Sequence, residues 1–170
     1  QDQIFLNEQW NILLGGRFNH LEQQIENHLT TKSAKQAFTP FTPRAGINFK
    51  ATEQLSFYSN WGKGFELNTG LNKNNELFQP EKTSTWELGA KYQFLPKSWF
   101  GLTYFDMEKQ DLLTEGITDS YVDSGRVQSR GVELELQHQF TDKLRVNANY
   151  TYTDAEIVES EVEDKGARLK

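Results

Sequence analysis

The stretch from Gly125 to Ile157 constrains this chain more than any other. Val132, Leu134, Leu136 and Phe140 recur at every second position, with His138 in the same phase, and Glu133, Glu135, Gln137 and Gln139 fill the positions between. After Thr141-Asp142-Lys143, the residues Leu144, Val146, Ala148, Tyr150 and Tyr152 alternate with Arg145, Asn147, Asn149, Thr151 and Thr153. Successive side chains of a strand point to opposite faces, so each run reads as a strand with one apolar and one polar face. The three residues between them suit a tight reverse turn. The unit is therefore an antiparallel hairpin.

The same plan recurs along the chain. Residues 2–6 read as the end of a strand. Trp10, Ile12, Leu14, Gly16 and Phe18 then share a face, on a strand that grows more polar toward Asn27. Ala45, Ile47 and Phe49 follow, then Leu55, Phe57, Ser59 and Trp61, then Trp86, Leu88, Ala90, Tyr92 and Phe94, then Phe100, Leu102 and Tyr104 as far as Asp106. Short turns fall near residues 8, 52, 96 and 142, about 44 residues apart, a spacing that also admits a propeller or solenoid repeat. The units share no fixed signature, and the intervening stretches differ freely. Those stretches, 28–40, 66–81 and 107–124, are polar and read as long loops, and the tail from Glu159 to Lys165 is acidic.

A soluble β-sandwich also alternates, so alternation does not fix the class. Two further features point to a membrane barrel. Connections alternate strictly between short and long, as in barrels with short turns on one side and long loops on the other. The apolar faces are about nine residues long, near the 9–11 that a tilted membrane strand needs. Aromatics edge these faces: Trp10, Phe49, Phe94, Phe100 and Phe140 beside the short turns, and Trp61, Trp86, Tyr104 and Tyr152 toward the long loops. That is the pattern of two interfacial girdles. No run of about 18 apolar residues occurs, which excludes a spanning helix but not spanning strands. The fold expected is all-β, an antiparallel up-and-down transmembrane β-barrel, here an open excerpt of about seven to eight strands. Strands should follow sequence order in the sheet, and the strand beginning at Trp10 should not pair with that beginning at Leu144. The whole of 1–170 reads as one partial barrel domain, with both ends cut.

Composition narrows the function classes. The 170 residues hold no cysteine, so disulfides and thiolate metal sites are ruled out. Net charge is −6 and no basic block exceeds two residues, which argues against nucleic acid as a partner. His20, His28 and His138 are scattered, with no His/Glu spacing that would hold a metal. Glu133 and Glu135 share a strand face. They read as hydrated lumen carboxylates facing Arg or Lys of neighbouring strands rather than as an acid/base pair, which needs opposed environments. Gly62-Lys63-Gly64 lacks the rest of a phosphate-binding loop. Arg126 and Arg130 are expected to pair with lumen acids. No catalytic residue, metal ligand or cofactor is expected.

TPRAGINFKATEQLSFYSNWGKGFE (42–66), PEKTSTWELGAKYQF (80–94) and SGRVQSRGVELELQHQFTDKLRVNANYTYTDAEI (124–157) resemble the barrel of TonB-dependent outer-membrane siderophore receptors in order and spacing. The resemblance covers nearly all of 42–157 and implies a portion of a 22-stranded plugged barrel. It implies a location in the cell outer membrane and uptake of ferric siderophore, with membrane lipid around the wall. It also implies energy coupling to TonB through a plug region absent from this sequence. Iron would travel inside the chelate, so no protein ligands to iron are implied. Aromatics near the long loops, Trp61, Phe65, Phe78 and Tyr121, are the ligand-binding candidates, since they offer broad contact area and hydrogen-bonding tips. For each the competing reading is interfacial girdle or loop packing. Another outer-membrane barrel, such as a porin or barrel enzyme, and a soluble β-rich binding module are the alternatives.

Overall fold

The chain was analysed as a computed structural model, which describes residues 2–27, 32–72, 74–115, 121–160, 166 and 168–169. Every regular element among them is a strand: β1 Asp2–Phe5, β2 Trp10–Phe18, β3 Leu21–Asn27, β4 Lys32–Phe38, β5 Phe41–Lys50, β6 Leu55–Glu66, β7 Glu81–Leu95, β8 Ser98–Glu115, β9 Tyr121–Thr141, β10 Leu144–Glu159 and β11 Arg168–Leu169. Nine of them form one antiparallel sheet in the order β1-β2-β5-β6-β7-β8-β9-β10-β11, and β3 and β4 pair only with each other. Sheet order thus follows sequence order, with the β3–β4 hairpin standing aside. Among the described residues β2 and β10 do not pair, so the nine-stranded sheet is open.

The register lines the two faces up across strands. Ile12 lies opposite Ile47, Ile47 opposite Ser59, Ser59 opposite Leu88, Leu88 opposite Tyr104, Tyr104 opposite Val132 and Val132 opposite Tyr152. One row toward the short turns come Trp10, Phe49, Phe57, Ala90, Leu102, Leu134 and Tyr150. This face is left bare among the described residues: Trp86 is 60%, Leu88 59%, Tyr150 62% and Tyr152 57% exposed. A soluble sheet would bury such a face in a core. The opposite face carries Asn48, Tyr58, Gly89, Thr103, Glu133 and Thr151 in one row. We call the apolar face outward and the polar face lumenal.

Three expectations about extent are corrected. Residues 32–38, read as loop, form β4 and pair with β3 from Leu21↔Phe38 to Asn27↔Lys32. The strand from Trp10 ends at Phe18 rather than running on toward Asn27. The stretch 107–124, read as a loop, is largely paired: β8 continues to Glu115 and β9 begins at Tyr121. Above the apolar band both strand faces are polar, so nothing in these segments alternates in hydropathy. The loop at 66–81 is as expected apart from its end residues, which belong to β6 and β7.

Candidate functional site

All short connections lie at one end of the sheet. At the other end lie the described parts of the long ones: residues 19–27 and 32–40 between β2 and β5, 67–72 and 74–80 between β6 and β7, and the ends of β8 and β9. The 67–80 loop is a small folded body. Leu71 bridges to Leu77, and the Asn72 side-chain oxygen accepts from the backbone N–H groups of Asn74 and Glu76. Gly70, at φ 120°, makes room for the Phe78 ring, which lies 3.4 Å from where a Cβ would stand. Leu77 and Phe78 are the buried apolar residues among those described.

Beside them is a buried polar side chain, Asn68, 6% exposed. Its Nδ2 donates to the carbonyl of Gln79 at 2.7 Å and to that of Asp111 at 3.0 Å. The backbone carbonyl of Asn68 accepts from Gln23 Nε2 at 2.9 Å. Asp111 sits at a break in the β8–β9 register with φ 60°, and its carboxylate takes Lys82 Nζ at 2.7 Å. Nothing in the sequence marked Asn68, because an isolated Asn in a polar stretch has no hydropathy signature.

The four aromatic candidates do not converge. Trp61 projects outward opposite Trp86, whose indole Nε1 donates to Ser59 Oγ at 2.9 Å, and Lys63 lies over the Trp61 ring. Phe65, two residues on, shares that outward face and lies opposite Lys82. It lines a cavity of about 450 Å³ with Phe38, Phe41, Pro80, Lys63 and Lys82. Phe78 is inside the 67–80 loop. The backbone of Tyr121 pairs with Glu115, and its side chain lies outside the described residues, as does His28.

The aromatic girdles take the positions read from the sequence. Trp10 stacks on Phe49 at 4.4 Å, and His138 stacks on Phe94 and meets Phe140 edge-on, all near the short turns. Trp61, Trp86, Tyr104 and Tyr152 lie toward the long connections. His138 is a strand residue of this girdle, with Nδ1 3.0 Å from Ser98 Oγ. From Phe94 to Trp86 is eight residues of one strand, about 27 Å along it and roughly 20 Å in height at the usual barrel tilt, close to the band of a membrane barrel.

The arginines are placed differently from the expectation. Arg130 Nε lies 3.1 Å from Asp106 Oδ2, and Gln128 Nε2 donates to the same carboxylate at 2.9 Å. Arg126 reaches Glu108 and, at 3.4 Å, Glu159. Alternation along β9 puts 126, 128 and 130 on the face of Leu134, so these pairs are outward, from the row of Trp61 and Trp86 onward, and not in the lumen. The lumenal Glu133 lies between Thr103 and Thr151, and Glu135 between Gly101 and Asn149, instead of facing Arg or Lys. The outward arginines have a physical cause: beyond the apolar band the outward face meets water and becomes charged.

At the short-turn end of the lumenal face, a cavity of about 400 Å³ is lined by Lys50, Glu53, Gln93, Lys97 and Trp99, with Lys91 Nζ 3.7 Å from the Trp99 ring centroid. Among the described residues no group of three His, Asp or Glu side chains is placed to hold a metal.

Comparison with known proteins follows the architecture. The family model described as "TonB dependent receptor-like, beta-barrel" matches residues 1–170. The metal-pseudopaline receptor of Pseudomonas aeruginosa is 31% identical over 99% of this chain and 25% of its own length. A probable TonB-dependent siderophore receptor of Acinetobacter baumannii is 33% identical over 94% of this chain and 23% of its own. Among solved structures, the siderophore receptor PiuA of A. baumannii superposes with a TM-score of 0.78 at 28% identity, over 98% of this chain and 26% of that one. The ferripyoverdine receptor of P. aeruginosa superposes at 0.81 with 19% identity, a likeness of fold. The chain spans about a quarter of the length of the curated relatives it matches.

Proposed function

The chain belongs to the TonB-dependent receptor-like β-barrel family, and from that premise we propose that the protein containing it takes up a ferric siderophore across the outer membrane. One observation carries the reading: the family's match runs over all 170 residues, and nine of the described strands form a one-layer sheet whose apolar face is bare among the described residues. Strands of that kind satisfy their backbone hydrogen bonds laterally and offer lipid a continuous apolar surface. The opposite face, with its amides, hydroxyls and carboxylates, suits the wall of a water-filled or plugged lumen.

In this proposal the chain supplies one sector of the receptor wall and the long connections above it. The cargo is a metal held inside an organic chelator, and the wall contributes contact surface rather than metal ligands. The names of the relatives support a chelate of this class: one is a metal-pseudopaline receptor, others ferrichrome and ferrioxamine B receptors. TonB, acting through a plug region, is the partner proposed to power release, and outer-membrane lipid is the partner of the outward face. Of the proposed contacts Trp61, Phe65, Phe78 and Tyr121, the first two face outward and would serve the girdle and the outer wall rather than the chelate. Phe78 would act by holding the 67–80 loop in shape, since its ring is buried there. The family is one of receptors, and no step of bond chemistry is assigned to this chain.

The test is growth on iron-restricted medium. The full receptor is expressed in a strain lacking its own siderophore receptors, with and without a functional TonB, and is offered a panel of ferric siderophores. Growth on at least one of them that requires both the receptor and TonB is expected. Growth independent of TonB would favour a porin-like barrel and overturn the proposal.

A further inference from the structure

We propose that Asn68 is a latch that makes the three long connections move as one body. Three segments far apart in sequence meet at this side chain and its backbone: β3 through Gln23, the base of the 67–80 loop through Gln79, and the irregular turn of β8 through Asp111. Gln23 lies in the connection between β2 and β5, Asn68 and Gln79 in that between β6 and β7, and Asp111 near the end of β8 from which the connection to β9 leaves.

The chemistry at the latch explains why it is Asn. The amide nitrogen has two hydrogens, and each goes to a backbone carbonyl of a different segment. Aspartate has the same shape but no hydrogen to donate, and would turn an anion toward two carbonyl oxygens. Asp111 needs the support, because a non-glycine residue at φ 60° is held in a sparsely populated conformation. Its carbonyl is fixed by Asn68 and its carboxylate by Lys82. Gln23 donates from Nε2 to the backbone carbonyl of Asn68, which ties β3 to the base of the 67–80 loop.

A cooperative unit of this kind has a defined behaviour. Segments that share a buried polar link open together, and loss of the link lets each open alone. An event that orders any one connection then orders the other two without touching them. The inference rests on loop geometry and is independent of what the receptor transports.

Hydrogen–deuterium exchange of the full receptor in detergent, without ligand, tests it. Peptides covering 21–27, 32–38, 67–80 and 108–115 are followed, with 92–104 at the short-turn end as the reference. Asn68→Asp should raise exchange in all the loop peptides together, by about tenfold or more, and leave 92–104 unchanged. Gln23→Leu, which cuts only the β3 link, should raise exchange in 21–27 and 32–38 alone, so the assignment can be read even where Asn68→Asp folds poorly. A rise confined to 67–80 in Asn68→Asp, or no change in 21–38 with Gln23→Leu, would overturn the latch.

Discussion

The hydroxyl of Tyr58 on β6 meets that of Thr103 on β8 at 2.6 Å, reaching over the whole width of β7. The strand between contributes Gly89 at the crossing, and a Cβ there would overlap the phenol ring. A three-strand contact of this kind fixes the mutual register of β6, β7 and β8 on the lumenal face. A one-residue slip would carry Tyr58 to the outward side. Phe105 of β8 covers Gly131 of β9 in the same manner.

Gly89→Ala should therefore displace the ring and break the Tyr58–Thr103 bond, costing about 1–3 kcal/mol. Gly131→Ala should cost more, because its Cβ would meet the backbone carbonyl of Tyr152 as well as a ring. Gly64→Ala, whose nearest neighbour would be 3.9 Å away, is the control and should be nearly neutral. Reversible urea unfolding of the full receptor in lipid ranks the three. Equal values for Gly64 and Gly131 would contradict the packing described.

Face assignment gives a second outcome. Leu136→Arg places a charge on the outward face, between Phe100 and Ala148. One row inside the short-turn girdle, it should destabilise by about 1–3 kcal/mol. Gln137→Arg, on the lumenal side, should cost far less. Comparable losses in the same unfolding assay would mean that the two faces have been exchanged.

A third measurement needs no unfolding. Single cysteines at Leu134, Leu136, Val146 and Ala148 should contact a lipid-phase spin probe, and those at Glu133, Glu135, Asn147 and Asn149 should not. The contrast is expected within one hairpin, between neighbours in sequence. Equal probe contact at both sets would argue for a sheet that does not border lipid.

At the short-turn end, Ser98 is 1% exposed and its Oγ accepts from the Gln139 backbone N–H at 3.1 Å. The β9–β10 register shifts at this point, between Leu144 and Arg145. Ser98→Ala leaves that N–H without its acceptor and should cost about 1–3 kcal/mol. Ser98→Thr keeps the hydroxyl, and recovery of the hydrogen bond in that variant, read by amide exchange at Gln139, would separate the bond from the volume of the site.

The hairpin of β9 and β10 was legible in the sequence because its outward face borders one solvent and its lumenal face another. Leu134 and Glu133 record that difference at adjacent positions. The record stops where both faces meet water. Residues 107–115 and 32–38 are strands without a hydropathy period, and they read as loops for that reason. The same boundary hid the side on which Arg130 lies, since a charged outward residue looks like a lumenal one until Asp106 is found across from it. Phe78 was legible as an aromatic in a loop, but not as the loop's own core. Asn68 left no trace, because what distinguishes it is three partners brought from elsewhere in the chain.

The change of the outward face at Asp106 and Arg130 also sets how tall the receptor stands. From Arg130 back to Tyr121 the strand β9 continues for about 30 Å, or roughly 23 Å of height at a tilt near 40°. The headgroup layer occupies only about 5–8 Å on each side of the hydrocarbon. The hairpin of β8 and β9 thus projects well clear of the lipid, while the connections at 19–40 and 67–80 leave the sheet four to five residues beyond that same row. A visitor from the medium would meet the end of this hairpin before it felt the bilayer at all.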